Sequence, residues 1–167
     1  MKTSILVITT LFLASCASKE SSNDYFLKGK SLYGEEQDSL AIVNLTKAIE
    51  LDPLNKEAIY LRAYANQRNG KNEAAILDYT SSIQLNPQND EAYYFRGVVK
   101  DNLGDVQGAI ADYTKAIEIN GANGEAYYNR GRMKLSLGME DKGCADFRMA
   151  KSLNISFATA MLEKYCN

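Results

Sequence analysis

The chain has 167 residues, 46% of them apolar and 24% charged, which suits one domain with a hydrophobic core and argues against a disordered segment. A net charge of −2 without a basic block argues against nucleic acid as a partner. The absence of histidine removes the commonest general base and neutral metal ligand, and two prolines among alanine-rich stretches point to an all-α fold.

The chain opens with "MKTSILVITTLFLASC": one lysine, a mostly apolar run from Ile5 to Leu13, then small residues. That run is shorter than the roughly 20 apolar residues needed to cross a bilayer, and its layout is that of a secretory signal. Leu13-Ala14-Ser15-Cys16 resembles the lipobox of bacterial lipoproteins. The resemblance implies a signal peptide over 1–15, cleavage before Cys16, and acylation of Cys16 as a membrane anchor. The alternative is an ordinary signal peptide with an incidental cysteine. Residues 16–21 then form the lipidated cysteine and a polar tether. Ala17 and Ser18 lack the aspartate that resembles an inner-membrane retention signal, so the expected location is the cell envelope, at the outer membrane.

From Ser22 the chain aligns with itself at a shift of 34 residues without a gap, giving units 22–55, 56–89, 90–123 and 124–157. The eighth position is small throughout (Gly29, Ala63, Gly97, Gly131), as is the twentieth (Ala41, Ala75, Ala109, Gly143). The twenty-fourth is bulky (Leu45, Tyr79, Tyr113, Phe147), and Pro53 and Pro87 close the first two units. These landmarks resemble the tetratricopeptide repeat. The resemblance implies a solenoid of four helix-turn-helix units. Small residues at positions eight and twenty let paired helices approach, and the bulky residue fills the space beside them. Gly70, Gly104 and Gly138 end three of the first helices, whereas Gly34 falls two residues early, so the first turn is expected to differ.

After the fourth unit the chain continues as "SFATAMLEKYC", an expected capping helix within 158–167 and the residues just before it. With Cys16 acylated, Cys144 and Cys166 remain. Each lies about 11 residues from the turn near Ile155, so an antiparallel hairpin would bring them level for a disulfide. The alternative is a buried free thiol at Cys144 and a frayed Cys166.

Two of the units begin with paired tyrosines, "EAYYFRG" and "EAYYNRG". Adjacent helical residues point about 100° apart, so the two rings cannot share a neighbour. Tyr93, four residues before Gly97, is assigned to the core with Tyr25 and Tyr127; Tyr94 starts another stripe. In the resembled family that stripe lines a concave groove. The resemblance therefore implies a partner-binding face of Phe26, Tyr60, Tyr64, Tyr94, Phe95, Tyr128, Asn129 and Arg132. The competing reading is that these rings only cover seams between repeats. The lysines and asparagines with which one subclass grips a C-terminal carboxylate do not recur: Lys30, Asn129 and Arg132 stand alone.

Position seven (Lys28, Arg62, Arg96, Arg130) and position twenty-three (Asn44, Asp78, Asp112, Asp146) acquire charge together, and read as structural Arg–Asp bridges between helices. No catalytic arrangement, cofactor motif or metal-ligand spacing appears, so no enzyme activity, cofactor or metal is expected. Three functions fit: a lipid-anchored adaptor for a protein or peptide partner in the envelope; an accessory subunit of an outer-membrane assembly or polysaccharide export machine; or a lipoprotein binding glycans or small ligands. Oligomeric state is not encoded in any motif.

Overall fold

The computed structural model describes residues 20–166; the leader and Cys16 lie outside this range. Among the described residues the chain forms helices and no strand: α1 (Ser22–Gly34), α2 (Asp38–Leu51), α3 (Lys56–Arg68), α4 (Asn72–Leu85), α5 (Asp90–Asn102), α6 (Val106–Ile119), α7 (Gly124–Ser136), α8 (Glu140–Ser152) and α9 (Phe157–Tyr165). Each odd-numbered helix up to α7 packs on the even-numbered helix that follows it, and each even-numbered helix packs on the next odd one. The result is a stack of antiparallel hairpins closed by α9, an all-α repeat solenoid.

Side-chain caps start the first helices. Asn55, Asn89 and Asn123 accept from the backbone N–H of Ala58, Ala92 and Ala126 at 3.0, 3.2 and 3.0 Å. Ser21 does the same for α1 in a reciprocal capping box with Asp24. Inside each hairpin the turn is a Schellman motif. The N–H groups of Lys71, Asp105 and Met139 reach back to the carbonyls of Asn66, Lys100 and Lys134 at 2.8, 2.9 and 2.9 Å. Gly70, Gly104 and Gly138 supply the left-handed residue, with φ of +71°, +80° and +73°.

The first turn keeps this geometry, contrary to the expectation drawn from Gly34. Gln37 N–H reaches Leu32 O at 2.9 Å, and Glu36 takes the left-handed position with φ of +60°. The hairpin's packing thus fixes the turn, and a side chain bears conformational strain where the other units have glycine.

The close approach inside each repeat is visible at the eighth position. A Cβ added at Gly97 would stand 2.8 Å from a Tyr113 ring carbon, one at Gly131 would stand 2.8 Å from Phe147, and one at Gly29 2.7 Å from Leu45. Tyr79, Tyr113 and Phe147 are fully buried beneath this seam. The bulky residue therefore occupies the space that the absent side chain leaves.

At the other end, α8 does not leave its repeat by the proline turn of the first two units. Asn154 adopts φ of +67° and Ile155 N–H reaches Ala150 O at 3.0 Å, the turn used inside repeats. α9 consequently folds back on α8. It fully buries only Ala158, too little to hold a nine-residue helix in place. The Cys144–Cys166 disulfide ties it down, with Cα atoms 5.6 Å apart across a 22-residue separation.

Replacing Glu36 with glycine should raise stability by about 1 kcal/mol, since it removes the left-handed strain of a side-chain-bearing residue; urea denaturation followed by circular dichroism measures it, and an unchanged midpoint would refute the strain. Reducing the disulfide should lower stability by about 3 kcal/mol, with amide exchange rising first in α9; equal midpoints with and without reductant would show that packing alone holds the cap.

Candidate functional site

Opposite faces of the first helices carry two different sets of side chains. On one face lies a buried charge ladder. Asp78, Asp112 and Asp146 are 7%, 4% and 4% exposed, so each carboxylate has lost nearly all its water. Arg62, Arg96 and Arg130 answer with a two-pronged contact: Nε at 2.9 Å from one carboxylate oxygen and Nη2 at 2.7 Å from the other in every case. A further donor completes each site: Asn66 at 3.1 Å, Lys100 at 2.8 Å and Lys134 at 2.8 Å.

The remaining arm of each guanidinium crosses to the previous repeat. Nη1 of Arg62, Arg96 and Arg130 donates to the hydroxyl of Thr46, Thr80 and Thr114 at 3.2, 3.0 and 3.2 Å. Thr80 and Thr114 in turn donate to the carbonyls of Ile76 and Ile110, both at 2.7 Å. The first unit contributes Thr46 to the ladder but has no Arg–Asp pair of its own: there Lys28 pairs with Glu20 and Asn44 donates to Leu40 O. Arg96 and Arg130 also lie over the rings of Tyr93 and Tyr127, 5.6 and 5.4 Å from the centroids. Tyr25, Tyr93 and Tyr127 are therefore half-buried, not core residues: Tyr93 and Tyr127 cover the ladder while alanines at the preceding position (Ala92, Ala126) occupy the fully buried place, and Tyr25 lies beside Lys28.

The opposite face is aromatic. Tyr33, Tyr64 and Phe95 make a diagonal of edge-to-face rings with centroids 5.6 and 4.7 Å apart. Tyr94 joins it, 5.0 Å from Phe95. The spacing along this diagonal is 31 residues, three short of the repeat, because adjacent first helices are staggered by nearly one turn. The same offset brings the Tyr60 hydroxyl within 2.9 Å of Glu91, 31 residues on, and Arg132 within 3.7 Å of Asp101.

The fifth-position tyrosine of each unit after the first is thus partly a seam residue. Tyr60, Tyr94 and Tyr128 pack against Tyr79, Tyr113 and Phe147 with centroids 6.1, 5.9 and 5.8 Å apart. All three are half-buried, as are Tyr64, Phe95 and Asn129. Phe26 belongs to the core of the first unit, with only 8% of its surface exposed, while Arg132 is exposed. Asn129 Nδ2 donates to the Tyr94 hydroxyl at 3.2 Å.

Sequence reasoning in the 34-residue register placed Asp101 on the Tyr94 stripe but missed Glu91 and Phe157 as members of this face. Phe157 leaves α9 to lie 5.9 Å from Tyr128. Cavities open at both ends. One of about 350 Å³ is bordered by Phe26, Lys30, Glu57, Tyr60, Asn89 and Glu91. The other, about 190 Å³, is bordered by Tyr94, Glu125, Tyr128, Asn129, Ile155 and Phe157.

Burial raises the pKa of Tyr60, Tyr94, Tyr79 and Tyr113 above the ordinary tyrosine value of 10.0; the Glu91 carboxylate adds to the shift at Tyr60, and Glu125 to that at Tyr94. The face can hold apolar and hydrogen-bonding surface. It offers no activated nucleophile, and the described residues contain no cluster of three or more metal-ligating side chains.

A family model described as tetratricopeptide repeat matches residues 26–90 and 60–125. A crystal structure of MamA superposes with a TM-score of 0.78 at 29% identity, covering 83% of this chain and 81% of that one. The first such domain of Spaghetti (RPAP3), solved with the HSP90 peptide SRMEEVD, superposes at 0.68 with 26% identity, covering 71% of this chain and 94% of that one. MamA 41-end from Desulfovibrio magneticus RS-1 shares the fold at 16% identity, with a TM-score of 0.76 and 89% of each chain covered. A comparison with curated protein sequences returns no match.

The tyrosine shifts set the alkaline behaviour. A folded-state pKa raised above 10.0 means that the folded chain holds these protons more tightly than the unfolded one. Their contribution is complete below the unfolded value and is lost as pH rises above it. Stability should therefore fall as pH rises above 10, and replacing Tyr60 and Tyr94 with phenylalanine should flatten that slope. Urea midpoints across the alkaline range, with phenolate absorbance in parallel, provide the check; tyrosines that all ionise freely before unfolding would contradict it.

Proposed function

Because the chain belongs to the tetratricopeptide-repeat family, we propose that it is a non-enzymatic adaptor, anchored to a bacterial envelope membrane through acylated Cys16, that receives a partner protein on its concave aromatic face. The partner lies there as an extended peptide or a single helix. The observation that carries this reading is the unbroken Tyr33–Tyr64–Phe95–Tyr94 ring series with a cavity at each end. Tyrosine and phenylalanine provide large, rigid contact area at little entropic cost, and tyrosine adds a hydroxyl for backbone groups of a ligand. An apolar segment with alternate side chains seated in the two cavities matches that surface.

The chemistry of the preferred ligand differs from that of the RPAP3 domain, which was solved with an acidic HSP90 peptide. Here Glu125 borders one cavity with no cation among its lining residues, and Arg132 is held by Asp101, while Lys30 and Lys56 balance Glu57 and Glu91 at the other cavity. A peptide rich in carboxylates meets repulsion at the Glu125 end. A neutral apolar segment does not.

The lipid anchor is supported by the Leu13–Cys16 motif behind a charged and then apolar leader, and the outer membrane is favoured by the residues that follow Cys16. An anchored adaptor of this kind presents its groove in the envelope and concentrates the partner at the membrane.

Photo-crosslinking in intact cells examines the groove in place. A benzophenone amino acid at Tyr64 or Arg132 should capture one defined partner, and the same group at Ala111, on a second helix, should not. Capture from Ala111 alone would move the working surface to the outer face. Mass spectrometry of the N-terminal peptide should show acyl chains on Cys16, and Cys16→Ser should release the protein from membranes; an unmodified Cys16 in membrane-extracted protein would contradict the anchor.

A further inference from the structure

We propose that one corner of the solenoid, formed by Leu51 and Leu54, rests in the lipid surface to which the chain is tethered, so that the groove is held at a fixed attitude to the membrane instead of swinging on a free leash. This rests on the reading of Cys16 as the lipid anchor.

The argument begins with where the tether enters the fold. Ser22 at the start of α1 donates to Ala48 O at 2.8 Å, so the first described helix begins beside the end of α2. Leu51 closes α2 three residues later, and Leu54 occupies the turn between α2 and α3, next to exposed Pro53. Leu54 is 73% exposed, more than any other large apolar side chain among the described residues, and Leu51 is 47% exposed. From Cys16 to Ser21 the chain can reach at most about 18 Å, even when fully extended. An acylated Cys16 therefore leaves this corner little room to stand away from the headgroups.

Apolar exposure declines along this edge with distance from the tether. At the position of Leu51 the later repeats carry Leu85, 38% exposed, then half-buried Ile119 and Leu153. At the position of Leu54 they carry Gln88, Ala122 and Ser156. A packing requirement of the fold would recur in every unit; this one is concentrated where the tether exits.

Charge identifies the kind of surface. Lys28 is paired with Glu20 and Lys47 with Glu50, and the exposed Lys56 stands between Asp52 and Glu57 in the sequence, so the corner offers no basic cluster for an anionic headgroup. The contact is apolar and interfacial. Two leucines alone bind a bilayer weakly, but a short anchor makes the second contact intramolecular, and a weak contact then suffices.

The chain contains no tryptophan, so a single one reports its own surroundings. The acylated protein, carrying either Leu54→Trp or Gln107→Trp near the start of α6 on the opposite edge, is reconstituted in vesicles of phosphatidylethanolamine with a minor share of phosphatidylglycerol. Tryptophan at 54 should emit further to the blue than in detergent-free buffer and should be quenched by brominated lipid, in high salt as in low. At 107 it should remain water-like and unquenched. Water-like emission at 54 from vesicle-bound, acylated protein overturns the contact while leaving the anchor intact. Loss of the blue shift in high salt overturns its apolar character. Absence of acyl chains on Cys16 removes the anchor and the contact together, and mass spectrometry distinguishes that failure from the other two.

Discussion

Three carboxylates buried between helices set the terms for the rest of this molecule. Asp78, Asp112 and Asp146 have given up their water, and a dehydrated carboxylate is tolerable only when fully hydrogen-bonded by cations. An arginine fork in the same repeat meets two of the oxygens' requirements and leaves one nitrogen free. That nitrogen finds the threonine of the repeat before it. The neutralisation of one charge thus specifies how the next hairpin is rotated against the last. Hydrophobic seams alone, lined with alanine and glycine, are compatible with a range of rotations; directional bonds select one.

The selected rotation determines what the other face of the first helices can be. With neighbouring helices staggered by nearly one turn, position twelve of one repeat meets position nine of the next and position six of the one after. Tyr33, Tyr64 and Phe95 come into register in this way, as do Tyr60 with Glu91 and Asp101 with Arg132. The paired tyrosines acquire a clear division of labour. Tyr93 and Tyr127 shield the guanidinium ladder on one side. Tyr94 and Tyr128 lie over the buried Tyr113 and Phe147 on the other, and show the remainder of their rings to the groove. The groove is thereby built before any partner arrives, which limits the ordering cost of binding.

Much of this was legible in the sequence, and for stated reasons. The 34-residue repeat, the small eighth position facing the bulky twenty-fourth, the Arg–Asp pairing and the level cysteines are all contacts within a repeat or a hairpin, where sequence separation maps directly onto distance. The stagger between repeats was not legible. It depends on the crossing of helices, so Glu91 and Phe157 could not be assigned to the groove from a 34-residue alignment. Nor was the burial of Phe26 apparent, since it comes from packing with Ala41, Leu45, Ala48 and Ala58. The left-handed Glu36 shows packing overriding local preference, where glycine placement had suggested a different turn.

The central claim is that the ladder holds the four repeats in one preset curvature. Spin labels at Ser31→Cys in α1 and Ser136→Cys in α7, both exposed, measure it directly in a chain carrying Cys16→Ser, because Cys144 and Cys166 are bonded to each other. Pulsed electron resonance should give a single narrow distance distribution in the otherwise unaltered chain. Replacing Thr80 and Thr114 with valine, which leaves each repeat's own Arg–Asp pair intact, should broaden that distribution. A broad distribution in the unaltered chain, or one that the valines leave unchanged, would contradict the claim and leave the curvature to hydrophobic packing alone.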